Sequence, residues 1–418
     1  MRLISAVLLL ILCSGIARAE ANAQASSSQD LRLVVVVSRH GVRSPTDPNE
    51  LTPYAAKPWP AWQVPPGNLT PRGATLMGYM GASYRALYAG AGLLPQAGCP
   101  APDAVYVWAD VDQRTKATAL ALLDGLAPQC GLSAQDAGAA VDPLFHALPA
   151  LGKADVATAS ASVLGSTGGD PGAIVAAYGA LFARIDAILG CDGGACRRVS
   201  SVGSSLQTSS KTGLAGVGGA IDLASTAVED FILAYADGKP ASEIGWGAVD
   251  RDALLQLSQL HTLKFALNTE PPYIARAQGS NLLAHVLATI DQGATGVRDA
   301  KTRAPAGSRF VAFVGHDTNL EALAGMLRLR WLMPGYQIND TPPGGALVFE
   351  VHRVNQSAEP FVRVFFTAQS LDQMRSLSRA VPARVPVFVP GCPSLDCPIS
   401  AFDRAASGSI DPAFVGTW

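Results

Sequence analysis

Two arginines flank a histidine within five residues of the segment Ser38-Arg39-His40-Gly41-Val42-Arg43-Ser44-Pro45. Only 15% of the residues in this chain are charged, against roughly 25% in an average globular protein, so this local density stands out. A guanidinium offers a rigid donor fork that matches phosphate oxygens, and a neutral imidazole beside it can act as a nucleophile on phosphorus. Gly41 is expected to let the backbone bend tightly there. Two other segments share this character. Ala109-Asp110-Val111-Asp112-Gln113-Arg114-Thr115 adds another cation, and Gly315-His316-Asp317-Thr318-Asn319 adds a second histidine next to a carboxylate. Neither a CxxC pair nor an HExxH motif accompanies them, so the expectation is no metal and no cofactor.

Each segment follows a run that reads as a buried strand. Residues 31–37 are almost continuously β-branched, and similar runs recur at 104–108 and 309–314. Helical stretches follow the latter two, at 113–126 and 318–327. Strands with both faces covered, alternating with helices, are the signature of an α/β core with a parallel sheet. Ligands in such sheets bind beyond the carboxyl ends of the strands. The three chemical segments are therefore expected to converge at one sheet edge.

The middle of the chain has a different period. From about 143 to 270 no strand pattern is seen. Val228, Phe231, Ile232 and Tyr235 fall at helical spacing, as do Leu260, Leu263 and Leu267. The Gly/Ser-rich stretch 193–219 reads as loop. Residues 346–354 and 361–366 alternate like an antiparallel hairpin. The expected architecture is α/β, with a mostly parallel sheet flanked by helices and a helical insertion. Its boundaries are an α/β part over 31–142, a helical domain over 143–270, and a second α/β part with a disulfide-closed tail over 271–418.

Across 418 residues, 31 basic side chains face 33 acidic ones, for a formal charge of −2. That balance excludes a large basic nucleic-acid surface, and the low charge excludes a charged disordered chain. Arg2, the apolar run 4–13 and Ala17-Arg18-Ala19 form a secretory signal peptide over 1–19, with Ala23 as a second cleavage position. Residues 20–30 read as a flexible leader. No later stretch reaches about 18 apolar residues. Once Cys13 leaves, six cysteines remain, an even count that in an exported chain reads as disulfides. Their clustering favours Cys99 with Cys130, Cys191 with Cys196, and Cys392 with Cys397.

RHGVRSP with a distant GHDTN resembles the histidine acid phosphatases, the branch of the histidine phosphatase superfamily that includes bacterial periplasmic phytases and glucose-1-phosphatases. Leu69-Thr70-Pro71-Arg72-Gly73, Gly245-Trp246-Gly247 and Thr341-Pro342-Pro343-Gly344-Gly345 also look like phytase segments. The resemblance implies a phosphoglycerate-mutase-like core. It implies that His40 becomes phosphorylated, that Arg39, Arg43, Arg114 and His316 hold the phosphoryl group, and that Asp317 protonates the leaving oxygen. Thr46, Asp47, Glu229 and His261 fall in stretches similar to those lining the phytase pocket.

The implied function is an exported acid phosphomonoesterase that accepts phytate, a periplasmic or secreted monomer acting on a small phosphate ester. No nucleic-acid or membrane partner is expected after signal cleavage. One alternative is a sugar phosphatase of the glucose-1-phosphatase kind. The other is an inert exported phosphate-ester binding protein, against which the presence of both His40 and Asp317 counts. Asp47 stands where enteric phytases carry a lysine, which should cost affinity for a densely anionic ester. Lys211, Lys264 and Arg276 are the cations that could compensate. His146, His285 and His352 lack a partner motif and read as structural or exposed. Guanidinium charges should keep His40 neutral below the usual roughly 6.5, whereas Asp317 must carry a proton to donate it, and the two conditions meet in an acidic medium.

Overall fold

The structure, a computed structural model, describes residues 30–355 and 357–416; the signal peptide and residues 20–29 of the leader lie outside the described residues. Nine strands are named in chain order: β1 (Asp30–Arg39), β2 (Val105–Ala109), β3 (Ser205–Thr208), β4 (Ala215–Gly218), β5 (Phe310–Gly315), β6 (Ala346–Arg353), β7 (Phe361–Ala368), β8 (Ala383–Val387) and β9 (Cys397–Pro398). The main sheet has the order β2-β5-β1-β6-β7-β8, with β9 also paired to β7.

The valine run of β1 sits at the centre because both of its faces can be buried. Leu33, Val35 and Val37 point into one apolar cluster, and Val34 and Val36 into another. The second cluster is closed by the helices Pro71–Gly90 and Gln113–Leu126, through Met77, Met80, Tyr84, Ala119 and Leu122. Those helices cross so closely that a Cβ on Gly125 would lie 1.9 Å from the Gly78 carbonyl oxygen, so only glycine fits there. The first cluster is larger. It runs from the sheet through the helices Pro272–Thr295 and Asp317–Leu327 into Ala220–Ala236 and Arg251–Asn268, so the helical region and one sheet face share a continuous core.

The α/β class, the flanking helices and the antiparallel 346–368 hairpin match expectation. A mostly parallel sheet does not. Only β2, β5 and β1 run parallel; β6, β7, β8 and β9 all pair antiparallel. The periodicity of a buried run reports that both faces are covered and says nothing of strand direction. Strands within 143–270 were also not expected, yet β3 and β4 form a separate two-stranded hairpin inside the stretch read as loop. Three of the four β3 residues are exposed and β4 is Ala-Gly-Val-Gly, so no apolar alternation announces them.

All three expected disulfides form, with Cα separations of 5.4, 4.9 and 5.1 Å. Bonds of this kind typically contribute about 2–4 kcal/mol each. No helix among the described residues is long and apolar enough to cross a membrane.

Candidate active site

Strand register brings the chemical segments together. Arg39 pairs with Gly315 across β1 and β5, and Ala109 with Val314 across β2 and β5. The pairing continues past the strands, since His40 N donates to the Gly315 carbonyl at 2.9 Å and Asp110 N to that of Val314 at 3.0 Å. Three parallel strands thus deliver Arg39-His40, Asp110 and His316-Asp317 to one edge at the same height, the position where open α/β sheets bind ligands. Asp112 stands at the N-terminal boundary of the helix that carries Arg114, and His316 at that of the helix that opens with Asp317.

His40 is buried, 2% exposed. Its Nδ1 lies 2.9 Å from the Gly41 carbonyl, which can only accept, so Nδ1 carries the proton and Nε2 keeps its lone pair. Burial, then Arg39 and Arg43, and then His316 and Arg114 push its pKa well below the ordinary imidazole value. Gly41 does not adopt a left-handed turn. What it supplies is room, because a Cβ there would lie 2.8 Å from Met77 Cγ and 3.2 Å from the Gly73 carbonyl oxygen. The bend expected from sequence is therefore a close packing contact.

The arginines are fixed by carboxylates. Arg39, 1% exposed, donates to the Thr341 carbonyl at 2.6 Å, pairs with Glu229, and lies 3.0 Å from Asp317 Oδ2. Arg43 reaches the same Glu229 oxygen at 3.3 Å. Burial alone would raise the Glu229 pKa, but Arg39, His261 and Arg43 outweigh it and hold the group ionised. His261 Nε2 lies 3.4 Å from the other Glu229 oxygen, and its Nδ1 is 2.9 Å from Ser225 Oγ. Burial pushes His261 down despite that neighbour. Arg114 lies 2.5 Å from Asp112 and 3.4 Å from His316 Nδ1.

Asp317 behaves differently from the sequence expectation of a ready proton donor. Burial favours its neutral form, yet Arg39, His40 and His261 pull its pKa below the ordinary carboxylate range. It is the counter-ion of Arg39. An anion that engaged Arg39 in its place would remove the main influence keeping Asp317 ionised.

Thr46, Asp47, Glu229 and His261 all line one cleft of about 450 Å³, together with Arg43 and Asp317. These four side chains are thus brought together around one cleft. Of the three candidate compensating cations, Lys264 lines the cleft and lies 3.3 Å from Asp222. Arg276 donates to the Gly408 carbonyl, and Lys211 is outside the lining.

Sequence reasoning missed four residues. Asp110 is fully buried, and its Oδ2 accepts from His316 Nε2 at 2.6 Å and from His146 Nε2 at 2.8 Å. Burial would raise it, but those two histidines draw its pKa far down. His146 is exposed, as expected, but it also has a partner: its ring centroid lies 5.2 Å from that of His316, and the bond to Asp110 raises its pKa. Thr118 Oγ1 accepts from Gly41 N at 2.9 Å. Asp340, behind Arg39, is pushed by burial up to about 6. Asp110 and Thr118 were visible only as parts of a strand end and a helix; His146 and Asp340 carried no local signal. His352 is structural as expected, 3.1 Å from Glu350 on the sheet, and His285 is buried.

Phytase AppA of Escherichia coli is 33% identical over 421 residues, 94% of this chain and 95% of the relative. A glucose-1-phosphatase of Salmonella typhimurium is 30% identical over 90% of this chain and 91% of its own length. The structure of Hafnia alvei phytase in complex with tartrate superposes with a TM-score of 0.87 at 34% identity, over 93% of this chain and 99% of that one. Residues 30–160 and 223–367 match the histidine phosphatase superfamily (branch 2), and the chain belongs to that superfamily.

Proposed function

We propose that this chain hydrolyses phosphate monoesters in an acidic medium through a phosphohistidine on His40, and that phytate is among the esters it accepts. The observation that carries this reading is the buried His40 with its free Nε2, ringed by Arg39, Arg43, Arg114 and His316. The relatives named phytase and glucose-1-phosphatase support the same class of reaction.

His40 Nε2 attacks phosphorus from the side opposite the ester oxygen. The P–O bond breaks as Asp317, protonated once the phosphate has engaged Arg39, delivers its proton to the leaving oxygen. Water then attacks the phosphohistidine while the Asp317 carboxylate takes up the water proton, which frees His40 and inorganic phosphate. Charge on the transferred group is met by three guanidiniums and His316, whose positions are set before the substrate arrives. Glu229 and Asp112 hold those guanidiniums in place.

One observation favours a second substrate preference. Asp47 and Glu50 also line the cleft, and carboxylates at the mouth repel the phosphates of phytate that are not being cleaved more than they repel a single phosphate. We therefore place phytate as an accepted substrate without strong preference over a sugar monophosphate. The three disulfides support an exported, oxidising location.

The test is kcat/KM for phytate, glucose 1-phosphate and p-nitrophenyl phosphate at about pH 4–5, with acid-quench trapping of the phosphorylated chain. Turnover of all three with label on His40 is expected. Turnover without a trapped phosphohistidine overturns the mechanism.

A further inference from the structure

Asp110 Oδ2 lies between two imidazole nitrogens, and Asp112 Oδ2 is 3.6 Å from one of them. The four donor atoms, from Asp110, Asp112, His146 and His316, all lie within 4.8 Å of one another. We propose that these four side chains form a site for a zinc-class dication, and that its occupancy inhibits the enzyme by taking His316 and Arg114 out of the phosphate cage.

Two imidazoles and two carboxylates make a ligand set suited to Zn²⁺ and its neighbours, whereas Mg²⁺ and Ca²⁺ favour oxygen alone. Bonds of about 2.0–2.1 Å in tetrahedral geometry separate ligand atoms by roughly 3.3 Å. The present separations of 2.6 and 2.8 Å from Asp110 to the two histidines would open by about 0.5–0.7 Å, within reach of side-chain rotation alone. Entry is available because the His146 side chain is 42% exposed. The site needs no resident metal, because each Nε2 proton now makes the bond to Asp110 that a metal would replace.

The inhibitory coupling follows from proton positions. A metal on His316 Nε2 moves the ring proton to Nδ1, which lies 3.4 Å from an Arg114 N–H donor. Two donors would then face each other, so Arg114 must turn away. The metal also draws Asp112 from its 2.5 Å contact with Arg114. Two phosphate-cage residues are lost to one ion.

Calorimetric titration of the full exported chain with ZnCl₂ should show one ion bound, with the same affinity in a His40→Ala variant that cannot turn over. Inhibition of p-nitrophenyl phosphate hydrolysis, each protein normalised to its own uninhibited rate, should have a Ki raised at least about tenfold in His146→Asn. MgCl₂ at equal concentration should not inhibit. No zinc uptake, equal Ki in wild type and His146→Asn, or equal inhibition by magnesium overturns the proposal. The binding arm requires no turnover, so failure of the phosphatase reading would be seen separately.

Discussion

The floor of the cleft and its mouth are built from opposite charges. At the floor, Arg39, Arg43 and Arg114 crowd around two histidines, and backbone pairing of β1, β2 and β5 fixes the strand ends that carry most of them. At the mouth, Asp47 and Glu50 outnumber Lys264, and Asp47 sits on a loop where its Oδ1 accepts from Asn49 N at 2.8 Å. Strand ends in register cannot move independently, so the floor tolerates little change. Loop residues can exchange charge at small structural cost. On the proposed function, the floor decides the reaction and the mouth decides which esters reach it.

Removing the proposed nucleophile should break the floor most severely. His40→Ala should fold, because its neighbours Arg39 and Gly41 keep their own partners, and kcat should fall by at least about 10³-fold with no trappable phosphoenzyme. Substantial remaining turnover would mean that the reaction does not pass through His40.

Asp317→Asn should act by leaving group. Release of a sugar alcohol needs a proton and should slow by about 10²–10⁴-fold, whereas p-nitrophenol leaves unaided and should slow far less. Equal losses on the two substrates would show that Asp317 serves only as the Arg39 counter-ion. The pH profile gives a second check. Because the His40 pKa is pushed down, its neutral nucleophilic form persists into acid, and the acidic limb of kcat/KM should lie well below the ordinary imidazole range.

At the mouth the effects are smaller. Asp47→Lys should raise kcat/KM for phytate by about two- to fivefold relative to p-nitrophenyl phosphate, the scale of a solvent-exposed ion pair. No relative gain would remove the mouth from the account of selectivity.

The smallest expected effect lies beneath the floor. Glu321, one turn after Asp317 in the same helix, is 1% exposed, and burial together with Glu270 and Asp317 pushes its pKa well above the ordinary value. The fold keeps a proton there that the unfolded chain releases, so stability declines as pH rises through the carboxylate range. Glu321→Gln lacks that decline and should melt a few degrees higher than wild type at pH 7, with little difference at pH 4. A melting difference independent of pH would show that Glu321 is not held neutral.

What sequence could tell about the site depended on whether the signal was local. The β1, β2 and β5 runs and the helix Gln113–Leu126 fall where their spacing put them, because strand and helix periods are properties of contiguous residues. His40 and Asp317 were legible for the same reason, each sitting in a dense polar segment just after an apolar strand. His146 was not, since the carboxylate that gives it a place, Asp110, lies 36 positions away and is reached only when the 142–146 turn folds over β2. Glu229 was recognised as a pocket residue but not as the shared counter-ion of Arg39 and Arg43, a contact spanning 190 positions to the first of them. Strand direction beyond β1 was undetermined as well.

By itself, then, the sequence determined the reactive groups, the α/β class, the three cysteine pairs and the edge at which the strand ends should meet. The tertiary structure alone decided the charge state of those groups. Asp317 reads as an acid in sequence, but Arg39 sits 3.0 Å away and holds it ionised. A carboxyl group's pKa depends on burial and on the charges within a few ångströms, and those neighbours are assigned only when distant segments pack together.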